Sequence, residues 1–597
     1  MGDAIKDQDE RTNNPPGNAG ETPAADALRQ EMEKALRGGV GPKLARFILL
    51  GSPPTLWENT TMTIGQPKHC LRPRAWRVPA AVLAVALLAA AQPKPTDEPV
   101  PPRPAAVDPA PKSVVLGVAF SPDGKQLALA CEEKVVRIYD WPSGKQRTLL
   151  EGFKARVWTA AFSPDGKLLA SCTGEYSRPE DPAELKLWDL STGKEKATLE
   201  GHKGLVFSAT FSPDGKTLIS TGWDGTVRLW DVARGKESAV LTGHQGPVRL
   251  AVYAPDNRSF ATGGFDGTVR FWDAATSKPL KTITAHEGGV QCLAFSPDGR
   301  RLATCDRPLG ARPTGTIKLW DLSAGKELAR FEGIKGSVLS LAFSPDGAML
   351  AACGGLYGEG GEVKLFEVAS GKVRASFDGH KEWVECVCFT PDGRTLVSAG
   401  GFTRGRPGEV HAWAVGELRG GKKPEHLTAQ RLRALWDGLA DRDAAAAYQA
   451  ILELSAVPAD AVPFLKDSLG PVEPADPKRV AELIADLDND DFDVRERASQ
   501  ELDKVAEAAR PALQQANAKT KSAEVRRRTE SLLKGLEFPP TSPEQLRRAR
   551  AVEVLAACAS PAAKGLLQEL ARGAEGALLP EQARAALDRL ERQGKQP

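Results

Sequence analysis

Between residues 114 and 425 short apolar runs alternate with tight turns at a nearly constant spacing. The stretch Gly201–Asp231 shows the unit in full. Leu205–Phe211 is a run of apolar, β-branched and aromatic residues, and Ser212-Pro213-Asp214-Gly215 is a turn. Leu218–Thr221 is a second apolar run, Asp224-Gly225 a second turn, and Thr226–Trp230 alternates with the two-residue period of a strand. Pro213 pre-sets φ for the second position of a type I turn, Asp214 tolerates the third, and Gly215 accepts the positive φ that follows. Asp-Gly between apolar runs predicts a hairpin.

The unit recurs. Its Pro-Asp turn begins at Pro122, Pro164, Pro213, Pro255, Pro297, Pro345 and Pro391, and its closing aromatic is Tyr139, Trp188, Trp230, Trp272, Trp320, Phe366 and Trp413. Trp188 to Trp230 and Trp230 to Trp272 are both 42 residues. Four strands in such a period mark one blade of a propeller.

Gly201-His202, Gly243-His244 and Gly379-His380, with Ala285-His286 as a variant, precede their blades, and Trp-Asp closes four of them at Trp188, Trp230, Trp272 and Trp320. Residues 114–425 therefore resemble the WD40 repeat family, which implies an all-β seven-bladed β-propeller. Tyr139-Asp140, Phe366-Glu367 and Trp413-Ala414 depart from the pattern. The ring is closed either by a strand from about 97–113 or by one just after Val415.

His202, Ser220, Asp224 and Trp230 contain the components of a nucleophilic triad. The set recurs as His244, Thr262, Asp266 and Trp272, and in part as His286, Thr304, Trp320 and as His380, Ser398, Trp413. A catalytic set would occur once. The resemblance implies a buried hydrogen-bond chain that holds each blade, so these residues are expected to be structural. Four blades replace the tight Asp-Gly turn with longer loops: Gly174–Ala183, Asp306–Gly315, Gly355–Gly361 and Gly401–Glu409. Insertions on one face of a repeat array point to the binding side. By resemblance the same face carries Trp158, Phe207, Arg249, Trp223 and Phe265, with Arg178, Arg312, Arg404 and Arg406 from the loops; of these, Trp158 and Phe207 are the ones most expected to pack within the blade. Aromatics mixed with Arg are the usual content of a protein-binding hot spot.

From about Leu427 the chain becomes rich in Ala, Leu, Glu and Arg with helical spacing, as in Val480, Leu483, Ile484 and Leu487. Asp491-Phe-Asp-Val494-Arg495 and Ser522-Ala-Glu-Val525-Arg526 match loosely. Residues 426–597 resemble a separate all-α, HEAT-like domain. WD40 chains with such a tail resemble a bacterial, planctomycete-like group.

Residues 1–61 are polar and read as disordered or as an over-called extension before Met62. Residues 62–92 carry Lys68, Arg72, Arg74 and Arg77, then the uncharged fourteen-residue run Val78–Ala91 ending in small residues. This is the layout of a signal peptide and is short for a membrane anchor. Residues 93–113 are a Pro-rich linker. The propeller is thus expected to be exported, to the periplasm or beyond, with the membrane involved only through residues 78–91.

A net charge of +2 argues against a nucleic-acid protein driven by bulk charge. Cys131, Cys172, Cys305 and Cys353 occupy matching places in second strands and read as small buried hydrophobes. No CxxC with partner ligands occurs, and no Walker loop, dinucleotide fingerprint, zinc-protease helix or nucleophile elbow, so no cofactor, metal or catalytic residue is expected. The expected function is a non-enzymatic scaffold for an unknown protein or peptide. The alternatives are an enzyme with its site in the central channel and a cytoplasmic regulatory WD40 protein.

Overall fold

The computed structural model describes residues 107–594 apart from 108–109, 307–314, 357–358, 402–406, 417–423, 471, 473, 535, 537–541 and 575–576. The signal-type segment and the polar stretch before it lie outside the described residues, as do Arg312, Arg404 and Arg406. Among the described residues no helix is long and apolar enough to cross a membrane.

Seven antiparallel sheets follow one another along the chain. Blade 1 spans Val115–Leu150, blade 2 Val157–Thr198, blade 3 Val206–Leu241, blade 4 Val248–Thr284, blade 5 Val290–Phe331, blade 6 Ser337–Phe377 and blade 7 Val384–Ala414. Six are four-stranded in chain order, and blade 7 has three strands. First strands of successive blades are neighbours, and that of blade 7 lies beside that of blade 1, so the ring is closed. The predicted Pro-Asp-Gly turns reinforce it. Gly215 takes φ +71°, and a Cβ built on it would stand 3.4 Å from Pro164 of the previous blade. At the seam, a Cβ on Gly124 would stand 3.4 Å from Pro391.

Of the two closures expected, the contacts favour the segment before blade 1. Gly408 N–H donates to the Pro111 carbonyl (3.1 Å), and Val107 is buried with Val397, Ala399 and Ala412 of blade 7. Pro111 itself has no N–H to give to a ladder.

An antiparallel meander puts turns at alternate ends of its strands. Turns between first and second and between third and fourth strands form one rim, the base. Second-to-third turns and inter-blade connections form the other, the top.

Ten helices follow among the described residues: α1 (Ala429–Gly438), α2 (Ala444–Ala456), α3 (Pro458–Ser468), α4 (Pro477–Asp486), α5 (Phe492–Lys504), α6 (Ala506–Lys519), α7 (Ala523–Lys534), α8 (Pro543–Cys558), α9 (Pro561–Ala571) and α10 (Leu578–Gly594). Helices α4–α7 form two packed pairs around Val480, Leu483, Leu487, Leu502, Leu513 and Val525. The two matching motifs start α5 and α7. Asp491 caps α5 by accepting from Asp493 N–H (2.8 Å). Arg495 reaches back to the Asn489 and Asp490 carbonyls, as Arg526 does to that of Thr520, so each Arg ties the turn before its own helix.

The other helices are not free-standing. Leu432, Leu435, Tyr448, Ile451, Val552 and Leu555 share one buried cluster with Met349, Leu365, Phe377 and Trp413 of blades 6 and 7. The docking is at the base. Ala348 and Met349 follow the first turn of blade 6, where the other blades carry Lys125, Lys167, Lys216, Arg258, Arg300 and Arg394. At the other base turn of blade 6, Glu367 accepts from Arg374 Nη2 (2.7 Å), Arg550 Nε (2.8 Å) and Arg550 Nη2 (2.7 Å). Arg374 also donates to Glu553 (2.6 and 2.7 Å) and lies over the Tyr448 ring, while Arg550 donates to the Leu439 and Asp441 carbonyls. Phe366-Glu367 departs from Trp-Asp because that carboxylate is the anchor of the helical region. Burial pushes the Glu367 carboxyl up, but the two guanidiniums outweigh it and hold it at about 2.

Candidate functional site

Every blade has the same irregularity at the top of its first strand. Pairing with the second strand skips one residue: Leu116, Trp158, Phe207, Arg249, Gln291, Leu339 and Glu385 in blades 1 to 7. A bulge of this kind re-aims the skipped side chain. Three of the skipped residues, Trp158, Phe207 and Arg249, are those expected to face a partner.

They join one array across blades 2 to 4. Phe207 is its floor, only 1% exposed. Its ring centroid lies 5.7 Å from that of Phe265, 6.2 Å from Trp223 and Tyr176, and 6.3 Å from Trp158. The Arg249 guanidinium stands 5.1 Å over Phe207 and 5.8 Å over Trp158. Trp158, Tyr176, Trp223, Arg249 and Phe265 are half-buried. Phe207 therefore packs within the propeller, and the other four rings and Arg249 form the accessible part. Tyr176 was not among the expected residues; its only sequence signal is an aromatic inside the Gly174–Ala183 insertion. That loop is pinned by Trp158 Nε1–H donating to the Gly174 carbonyl (3.0 Å) and Leu205 N–H to that of Pro179 (2.7 Å). Arg178 is exposed on the same loop and pairs with Asp181 (3.1 Å). A groove of about 660 Å³ adjoins the array between blades 3 and 4, lined by Glu180, Lys203, Trp223, Asp224, Thr242 and His244.

The rim also holds ionisable groups that the sequence reading did not find. Arg156 bridges Glu132 and Glu175, 3.1 Å to each. Burial raises the Glu385 carboxyl to about 7, against the pull of Arg249 and with the push of Glu132. The bulge that exposes Trp158 in blade 2 puts a carboxylate, Glu385, at the same position in blade 7.

Beneath the rim lie the repeated polar sets. In blade 3, His202 Nδ1 is 3.1 Å from Asp224 Oδ2, His202 Nε2 is 2.7 Å from Ser220 Oγ, and Trp230 Nε1–H donates to that Oγ (2.8 Å). In blade 4 His244 lies 3.1 Å from Asp266, and His244 and Trp272 each lie 2.9 Å from Thr262. Blade 5 keeps His286–Thr304 (2.8 Å) and Trp320–Thr304 (2.9 Å). Blade 7 keeps His380–Ser398 and Trp413–Ser398, both 2.7 Å. The hydroxyls are fully buried and the imidazoles nearly so. Burial raises Asp224 and Asp266, but the imidazole and N–H hydrogen bonds bring both well below the usual carboxylate range. The two glycines ahead of these aspartates are dictated by the network: a Cβ on Gly264 would meet His244 Nδ1 at 2.3 Å. In blades 3 and 4 an imidazole with both nitrogens engaged and a hydroxyl locked by an indole form a brace with no open position for a substrate.

The family described as WD domain, G-beta repeat matches seven segments: residues 105–140, 144–178, 193–231, 235–273, 277–321, 325–367 and 371–403. The chain belongs to the WD40-repeat family. No curated protein matches the chain.

Three departures of this WD40 propeller from its own repeat follow one substitution. In three of the four blades that lose the Asp-Gly turn, blades 2, 6 and 7, a Glu at the head of the third strand takes the aspartate's place; blade 5 has Thr316 there. Lys203 N–H donates to Asp224 (2.9 Å) and Gln245 N–H to Asp266 (2.8 Å). Lys154 N–H donates likewise to Glu184 (2.8 Å), Lys335 N–H to Glu362 (2.9 Å) and Lys381 N–H to Glu409 (2.8 Å). Glu409 also takes His380 Nδ1 at 3.2 Å. The longer side chain spans from two residues further on, which frees the loop to lengthen. A Glu four residues before the closing aromatic, at Glu184, Glu362 and Glu409, was the signal in the sequence.

Proposed function

We propose that the chain is a non-enzymatic interaction scaffold whose propeller holds a protein or peptide on its top rim over blades 2 to 4. The observation that carries this reading is the contiguous array of Trp158, Tyr176, Trp223 and Phe265 around Phe207, with Arg249 over Phe207 and Trp158. Half-buried aromatics beside an Arg give area at small entropic cost. The helical region supports the reading by covering the base under blades 6 and 7, the opposite rim. The WD40 family, whose propellers mediate protein–protein interaction, points the same way. The test is selection from a displayed peptide library on the wild-type chain, repeated on Trp223→Ala/Phe265→Ala. Binders are expected to lose at least about tenfold in affinity for the double variant; binders indifferent to it would move the site elsewhere.

We also propose that the propeller works outside the cytoplasm, on the layout of residues 62–92, with basic residues before Val78–Ala91. N-terminal sequencing of the mature chain is expected to begin after Ala91. A chain that keeps Met62 or earlier residues would reject cleavage.

A further inference from the structure

One position in the third strand carries a fixed cation in six blades: Arg137, Lys186, Arg228, Arg270, Lys318 and Lys364. In blades 1, 2, 3 and 6 that cation lies 2.8, 3.3, 3.9 and 3.4 Å from a carboxylate at the head of the strand: Glu133, Glu184, Asp224 and Glu362. Blade 7 keeps the carboxylate, Glu409, and replaces the cation with His411. Its own His380 already faces that carboxylate. One ligand atom from each of His380, Glu409 and His411 lies within 4.8 Å of the others.

We propose that this triplet binds a divalent transition-metal ion of the Zn²⁺ class, which supplies the positive charge that Lys or Arg supplies elsewhere. Two imidazoles and one carboxylate suit a borderline-soft ion. The ligands are held in place by the blade. Ser398, whose oxygen takes the Trp413 N–H, lies 2.7 Å from His380 Nε2, which turns Nδ1 toward Glu409 at 3.2 Å. His411 lies flat on Trp413, with ring centroids 5.2 Å apart and planes 7° from parallel. Glu409 is 21% exposed, so a water can complete a tetrahedron. Tetrahedral ligands at zinc distances lie about 3.4 Å apart, so closing on the ion takes roughly 1 Å of side-chain movement. On binding, His380 stays a neutral imidazole: the Nδ1 lone pair goes to the metal, the single ring proton sits on Nε2 facing Ser398 Oγ, and the ring releases no net proton.

The test uses the full chain without a polyhistidine tag, stripped with a chelator and titrated with Zn²⁺ by calorimetry. One saturable site is expected. His411→Arg restores the cation of the other blades; it is expected to weaken that site by roughly tenfold or more while melting at or above the stripped wild type. Glu409→Gln keeps an acceptor but not the charge, and is expected to weaken it likewise. The chain's other imidazoles and thiols are unchanged in both variants. Equal zinc affinity in both variants, or no saturable uptake by the wild type up to about 1 mM, would overturn the proposal.

Discussion

Glu367→Gln isolates the joint between propeller and helices. The substitution keeps shape but removes one of two negative charges facing two guanidiniums, in a place where Glu367, Arg374 and Arg550 are each 1% exposed. The Glu367 carboxyl is held at about 2 against an ordinary 4.5. At 1.36 kcal/mol per unit the ionised form contributes about 3 kcal/mol. Removing one partner of a buried pair typically costs about 3–5 kcal/mol, a consistent magnitude. The folded value is depressed, so this stability is fully present above pH 4.5 and is lost as pH falls toward 2. Urea unfolding at pH 7, followed by tryptophan fluorescence, should show the variant about 3 kcal/mol less stable. The gap should narrow at pH 3. Proteolysis should release the helical region first, because Arg550 also holds the Leu439 and Asp441 carbonyls. A variant as stable as wild type at pH 7, or a gap that does not respond to pH, would refute the reasoning.

His202→Ala should cost about 2 kcal/mol in urea unfolding, since it strands Ser220 and Asp224 in a buried network, and should leave peptide capture unchanged once folded. Burial, helped by the Lys318 charge, lowers His286 to about 4; because the unfolded imidazole takes its proton near 6.5, stability should fall as pH drops from 6.5 toward 4, and His286→Gln should flatten that slope in a pH series of melting curves. Gly565 sits mid-helix in α9 with open space at its Cβ, so Gly565→Ala should stabilise by about 0.5–1 kcal/mol, measured by the same unfolding curve.

Local chemistry made the blades legible. Pro-Asp-Gly turns and period-two runs describe structure a few residues at a time, and Ser212 to Trp230 folded as its sequence implies. What stayed hidden was decided by distance in the chain. Phe366-Glu367 reads as a weak Trp-Asp until Arg550, 183 residues on, is seen to claim the carboxylate. Ala348-Met349 breaks a run of basic turn residues only because helices cover it. The bulge that turns out Trp158 and Arg249 has no marker of its own, since the residue it skips differs in each blade. Trp158 and Phe207 are both expected to pack within the blade; Phe207 does, while Trp158 is only half-buried.

Hydrogen exchange on the full chain, free and bound to a selected peptide, tests the central claim most directly. The account predicts new protection confined to Gly174–Ala183 and to the turns at Trp223 and Phe265, with the strands carrying Ser220, Thr262 and Ser398 slow to exchange in both states. Protection that appears instead at the base turns, or fast exchange in those strands before any peptide is added, would contradict it.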